Sequence, residues 1–310
     1  MSPDQSTYLV FGIVLVLAVI FDLGLLSRKS ITISIKRALW QTVFWVILAM
    51  AFFGYLWYQN GQTTAFEYLS AYLMEWSLSI DNIFVFILIF SFFGIKEIHV
   101  ARALLIGILM AVIFRVIFIT VGVVLVEKFE WLLYLFGAFL VFTGIRIFTV
   151  RQEDDFDPVK NPVYKYLKKV VNITAEDTSG RFMVKKDGKR FYTNMFVVII
   201  LLATTDIVFA LDSIPAVFAI SQDRLVIYTS NIFAVLGLRS LFFLLKGAIN
   251  KFEYLQQGIA IVLIFIGLKM LVEIFHIRVP VFVSLMVIIV CLVGSIVYSI
   301  QENTRRENNE

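Results

Sequence analysis

Nine stretches of this chain each supply about the 20 apolar residues that a helix needs to cross the hydrocarbon core of a bilayer. They run over 7–27, 38–58, 66–93, 100–126, 130–150, 193–220, 224–248, 254–275 and 279–300. Hydrophobic residues make up 60% of the 310 positions and the mean hydropathy is +0.89. A water-soluble globular domain, nearer about 45–50% apolar, is excluded. The sequence predicts an all-α polytopic membrane protein with about nine transmembrane helices. The first stretch has neither the basic leader nor the small-residue cleavage site of a signal peptide and is read as a span. The single cysteine, Cys291, leaves no disulfide framework, no paired-thiol redox chemistry and no thiolate metal cluster.

Lys and Arg settle orientation because they favour the cytoplasmic side. One set of alternate loops and the C-terminal tail carries twenty of them, beginning with Arg28, Lys29, Lys36 and Arg37 and including ten from Arg151 to Arg190. The other set carries three, Lys128, Arg224 and Arg278. The N-terminus is expected outside and the C-terminus in the cytoplasm.

The chain also repeats itself. EWSLSIDNIFVF (75–86) aligns with DIVFALDSIPAV (206–217), placing Glu75 on Asp206 and Asp81 on Asp212 at an offset of 131. Arg115 corresponds to Arg239 at 124, and Phe129-Glu130-Trp131, Gly144 and Arg146 correspond to Phe252-Glu253-Tyr254, Gly267 and Lys269 at 123. Each copy holds three spans, so the second enters the membrane from the opposite side, as in the inverted repeats of many secondary transporters. The expected organisation is 1–65 (two helices), 66–150 (first repeat), 151–192 (basic cytoplasmic loop), 193–275 (second, inverted repeat) and 276–310 (last helix and tail). In the loop, FMVKKDGKRFY around Asp187-Gly188 signals a hairpin, and its lysines and arginines offer a contact for anionic lipid beside their topological role.

A carboxylate inside a bilayer costs at least about 2.5–3.5 kcal/mol on insertion scales, so the intramembrane acids are functional candidates. Glu75, Asp81, Asp206 and Asp212 must be explained together. On a continuous helix, residues six apart rise by about 9 Å and point about 120° apart, so an unwound or tilted middle is expected in the two long spans that carry them. Pro215 supplies a break, removing the amide that would bond the Leu211 carbonyl and freeing that oxygen beside Asp212. Its counterpart in the first copy is Phe84. Arg115 and Arg239 are the natural counter-ions. Four carboxylates against two guanidiniums leave two negative charges, which a divalent cation would neutralise. The candidate ligands are oxygens: Glu75, Asp81, Asn82, Asp206, Asp212 and Ser213, with Ser79 and Thr205 close by. Neither His99 nor His276 falls mid-membrane, and oxygen ligation suits Mg²⁺, Ca²⁺ or Mn²⁺. The competing reading makes the same acids and arginines helix-to-helix salt bridges. Asn231 serves equally as polar glue or ligand. Asp22 is read as an interfacial residue, and Arg146, Lys269 and Glu273 as residues snorkelling from span ends.

At these residues the sequence resembles the TerC family of bacterial inner-membrane proteins, most closely its Alx-like members. The paired acidic blocks, SNIFAVLGLRSLFFLL and the FIGLKM segment carry the likeness, which covers about residues 66–275. The resemblance implies a relation to LysE-type exporters, export of Mn²⁺ from the cytoplasm, and the tellurium resistance attached to the family by name. It places the family's acidic metal positions on Glu75, Asp81, Asp206 and Asp212. Preference for Mn²⁺ over Mg²⁺ or Ca²⁺ comes from the resemblance alone. The expected function is a Mn²⁺ exporter working by alternating access, proton exchange being a coupling that carboxylates permit. The alternative is a membrane scaffold, insertion factor or tellurium-resistance protein with structural acids. No nucleotide-binding loop, nucleic-acid-binding pattern or soluble catalytic constellation is visible, so an enzyme is not expected.

Overall fold

The computed structural model describes residues 3–26, 33–149, 162–174, 180–186, 189–246, 254–275 and 279–309. Ten α-helices and three short strands follow one another: α1 (Pro3–Leu26), α2 (Ile35–Asn60), α3 (Gln62–Phe92), α4 (Glu97–Lys128), α5 (Leu132–Thr149), α6 (Pro162–Val170), β1 (Ile173–Thr174), β2 (Met183–Lys186), β3 (Lys189–Thr193), α7 (Asn194–Ile220), α8 (Arg224–Leu245), α9 (Leu255–Val272) and α10 (Val281–Asn309). Each of the nine apolar stretches falls on a helix. Among the described residues, six helices are long and apolar enough to cross a membrane: α2, α4, α7, α8, α9 and α10. The apolar parts of α1 and α5 are shorter, and α3 is interrupted chemically by Glu67, Glu75 and Asp81. The exposed surface of α4 and α10 is apolar, with Ile113, Ile117, Val121, Val290 and Val293 each more than half exposed, as befits a lipid-facing wall.

Local chemistry sets the helix ends. Gly61, at φ 93°, separates α2 from α3, and Gly94, at φ 60°, turns the chain between α3 and α4; both conformations are costly for residues with a Cβ. Thr193 caps α7 by accepting from the Phe196 amide, and Asp223 caps α8 by accepting from the Leu225 amide at 2.8 Å.

The bundle is organised around α8, the most buried of the spanning helices. Helix α3 packs mainly on α8, α4 on α7, and α5 on α9, while α2 covers α8 and α3. Phe11, Phe52, Tyr68 and Phe233 form an aromatic cluster joining α1, α2, α3 and α8. Antiparallel α4 and α8 are laced along their length: Glu97 with Lys246, Arg115 with Asn231, Thr120 with Tyr228 and Glu127 with Arg224. Helices α5 and α9 meet backbone to backbone, since a Cβ on Gly267 would lie 2.6 Å from the Gly137 carbonyl and one on Gly144 would lie 2.7 Å from the Ala260 carbonyl. Without a hydrophobic drive between helices in lipid, small residues of this kind gain dispersion contact through close approach.

In the segment between α5 and α7, β2 and β3 pair antiparallel with Lys186 opposite Lys189. The expected turn residues 187–188 lie outside the described residues. The parallel strand β1 and the basic helix α6 were not expected; β1 adds to β3, giving the order β1-β3-β2. The backbone also departs from expectation in α3 and α7, where no unwound middle occurs. Both are continuous helices, and α7 runs through Pro215. Losing one intrahelical bond is tolerated inside a bundle.

Gly267→Ala forces a methyl group against the α5 backbone and is expected to destabilise the fold by about 1–3 kcal/mol. Gly54→Ala, whose Cβ meets nothing within 4 Å, should leave the thermal midpoint in detergent unchanged or slightly raised.

Candidate functional site

Four helices bring one polar side chain each to a common point inside the bundle. Helix α3 contributes Glu75, α4 Arg115, α7 Asp206 and α8 Asn231, and none is more than 1% exposed. Arg115 is the hub. Its Nε donates to Asp206 Oδ2 and its Nη2 to Asp206 Oδ1, each at 3.0 Å, a bidentate fork that fixes both groups in one plane. Its Nη1 donates to Glu75 Oε1 and, at 3.2 Å, to Asn231 Oδ1. Asn231 is held for this by its own amide, which donates to the Ile227 carbonyl one turn earlier at 3.1 Å. Two carboxylates and one guanidinium leave the network one negative charge.

The network has unused capacity. Glu75 Oε2 and the hydroxyls of Ser79, Thr205 and Ser213 are buried without a hydrogen-bond partner, although buried polar atoms nearly always have one. Asn82 on α3 and Ser213 on α7 are buried, at repeat-equivalent positions. Arg239 is buried in α8 two turns beyond Asn231. Asp81 and Asp212 lie within α3 and α7, but their side chains lie outside the described residues. Pro215 is buried, whereas the Leu211 side chain is 53% exposed and faces away from the bundle.

Among the described residues no three His, Cys, Asp or Glu side chains converge in a metal-holding group. The two acids that do meet are bridged by Arg115, so the guanidinium stands where a cation shared by both carboxylates would sit. His99 lies instead against Gly180 in the segment before β2, and His276 is outside the described residues.

The surroundings differ at the two ends. Towards the start of α4, Asp206 is packed under Phe86, Leu104, Gly107, Leu202 and Leu238 with no volume left for a water molecule. Towards the end of α4, a cleft of about 1260 Å³ opens between the ends of α3, α4 and α7 on one side and α5, α9 and the start of α10 on the other. Its wall includes Glu67, whose Oε2 accepts from Ser221 Oγ at 2.5 Å, and Lys269. Sequence reasoning missed this cleft. The signal available was Glu67, a third acid in the same span as Glu75 and Asp81. Nor does Lys269 snorkel from its span end: it is 8% exposed, and its ammonium donates to the Ala219 carbonyl at 3.1 Å.

Residues 60–308 match the family described as integral membrane protein TerC family. An uncharacterized membrane protein of Rickettsia felis is 40% identical over 294 residues, covering 95% of this chain and 97% of its own. A Myxococcus xanthus membrane protein is 40% identical over 279 residues, or 90% of this chain and 87% of its own. Alx of Escherichia coli (strain K12), named as a candidate membrane-bound redox modulator, is 36% identical over 306 residues, with 96% of this chain and 95% of Alx covered. No solved structure matches the chain.

Removing one partner of a buried ion network strands the others, at a typical cost of about 3–5 kcal/mol. Arg115→Met is therefore expected to lower thermal stability in detergent markedly, Asn231→Leu by much less, and Asp206→Asn combined with Arg115→Met to recover part of the loss. A double-mutant cycle on these variants measures the coupling.

Proposed function

The chain belongs to the TerC family of integral membrane proteins, and from that premise we propose that it is a secondary transporter exporting Mn²⁺ through the buried acidic centre. The observation that carries the reading is the Glu75–Arg115–Asp206 network, two acids in the middle of long apolar helices sharing one guanidinium. Carboxylates placed there for structure alone would need only matched partners. In sequence the two copies carry four acids against two arginines, and Glu75 Oε2 and the hydroxyls of Ser79, Thr205 and Ser213 are buried without a hydrogen-bond partner.

In the proposed cycle Arg115 is the resident counter-ion of the empty state. An arriving divalent ion takes its place between Glu75 and Asp206 in an all-oxygen shell, while Asp81, Asn82, Asp212 and Ser213, six or seven residues further along continuous helices, serve the ion at a separate step of its path. Such a shell fits Mn²⁺, Mg²⁺ and Ca²⁺ alike, and Mn²⁺ is assigned through the family. When the ion leaves, the acids recover Arg115 or a proton, whichever avoids an uncompensated buried charge.

Contacts that exchange between the copies support the inverted-repeat reading. Helix α3 packs on α8 as α7 packs on α4, and Gly144 meets Ala260 as Gly267 meets Gly137, pairs related by the offset of 123. Glu75 and Asp206 are repeat equivalents, and so are Arg115 and Arg239. One arginine holds both acids here, so the opposite conformation would have Arg239 take over that role. With the N-terminus outside, the sealed end faces the cytoplasm and the cleft faces outward. The copies interlock through α3–α8, α4–α7 and α5–α9, and the proposed opening motion therefore runs between the α5–α9–α10 layer and the remaining bundle rather than between two lobes. The bacterial inner membrane is the proposed location, with the basic segment between α5 and α7 against anionic lipid. Since one cysteine cannot form an intramolecular disulfide, a redox effect like that named for Alx would run through something other than paired thiols in this chain.

Reconstituted into liposomes loaded with a metal-sensitive dye, the protein is expected to carry Mn²⁺, with flux responding to an imposed pH gradient. Glu75→Gln, Asp206→Asn, Asp81→Asn and Asp212→Asn should each reduce flux at least about tenfold at equal folded yield. Normal flux through folded Asp206→Asn protein would instead make the acids structural.

A further inference from the structure

Lys269 is the only basic residue among the described residues lining the cleft, whose wall also carries Glu67, Glu127, Glu130 and Glu273. Glu127 is already engaged by Arg224. Lys269 is held where a free lysine would not stay. Near a span end its ammonium could snorkel to water, yet it is 8% exposed and bonded to Ala219 at 3.1 Å. That carbonyl is available because α7 ends at Ile220, and the last four carbonyls of a helix have no intrahelical amide. The negative end of the α7 dipole adds to the attraction. Glu273 follows one turn later in the chain, and Glu67 shares the wall of the cleft. A fixed positive charge thus stands among acids on the proposed route of a departing cation.

We propose that Lys269 is a tethered counter-charge that sets how weakly the cleft holds divalent cations, so that an ion released from the buried centre leaves without being retained by Glu67 and Glu273. This rests on the transport reading above. An acidic cleft open to water concentrates cations, and two carboxylates facing the same space would retain a divalent ion. The Lys269 ammonium competes for those carboxylates at an effectively fixed concentration and loosens that hold. Lys269 thus acts through Glu67 and Glu273, apart from the buried centre.

The test separates charge from helix capping. Lys269→Gln keeps a donor for the Ala219 carbonyl and removes the charge, while Lys269→Arg keeps both. Efflux of Mn²⁺ from preloaded proteoliposomes is measured against Mn²⁺ added at the face bearing the cleft. The concentration that halves efflux is expected to fall about tenfold in Lys269→Gln and to stay at the parent value in Lys269→Arg. In detergent, thermal stabilisation of Lys269→Gln by Mn²⁺ should likewise need about tenfold less metal, a readout that does not depend on transport. Lys269→Gln behaving as the parent in both assays overturns the proposal. A parent that carries no Mn²⁺ removes the transport reading, and the stabilisation assay alone then decides whether Lys269 weakens cation binding. If Lys269→Gln does not fold, Glu273→Gln provides the converse: more Mn²⁺ should be needed to halve efflux or to stabilise, and unchanged values overturn the proposal.

Discussion

A guanidinium shut away from water in the middle of a lipid-embedded bundle has to be answered by carboxylates, and Arg115 is answered by two. That requirement fixes much else in the protein. Glu75, Asp206 and Asn231 must arrive from three further helices at hydrogen-bonding distance, so α3, α4, α7 and α8 are held in register at one depth. The α4–α8 polar lacing extends the alignment to both ends of the pair, and the glycine contact does the same for α5 and α9 by direct approach of backbones. Apolar packing fills the space between but is non-directional and would not by itself choose this register.

The polar centre is over-provided with acid and unevenly enclosed. A buried salt bridge is weak support for stability, because desolvation offsets much of the attraction. In the proposed cycle its value is that Arg115 can give way to an ion. Arg115 satisfies Glu75 and Asp206 without neutralising both, and unpartnered oxygens remain beside them. One side of the centre is packed shut, and on the other side the wide cleft opens two or more helical turns further along α3, α4 and α7. That asymmetry is what one half of an alternating cycle requires.

Much of this was legible in the sequence because bilayers impose long apolar runs and make each interruption conspicuous. The helices, the residues Glu75, Arg115 and Asp206, and the strand pairing on either side of residues 187–188 follow from such interruptions. What escaped is what depends on three-dimensional choice. Six-residue spacing suggested that each copy's two acids would share a site through an unwound helix. The helices stay continuous, and among the described acid side chains the two that meet, Glu75 and Asp206, come one from each copy and reach one arginine. Lys269 looked like a snorkelling residue, because nothing in its neighbourhood announces that a distant helix end will offer it a carbonyl. The strand β1 is too short for a pattern to reveal, existing only because β3 presents an edge.

The central claim is that Arg115 occupies Glu75 and Asp206 in place of a divalent cation. It is tested most directly by titrating the purified protein with Mn²⁺ and following loss of the free-ion signal by electron paramagnetic resonance. Removing the guanidinium removes the competitor, so folded Arg115→Met protein should bind Mn²⁺ more tightly than the parent, and the same substitution with Asp206→Asn should lose that binding. Equal affinity in the parent, Arg115→Met and the double variant would contradict the claim and leave the network a structural tie.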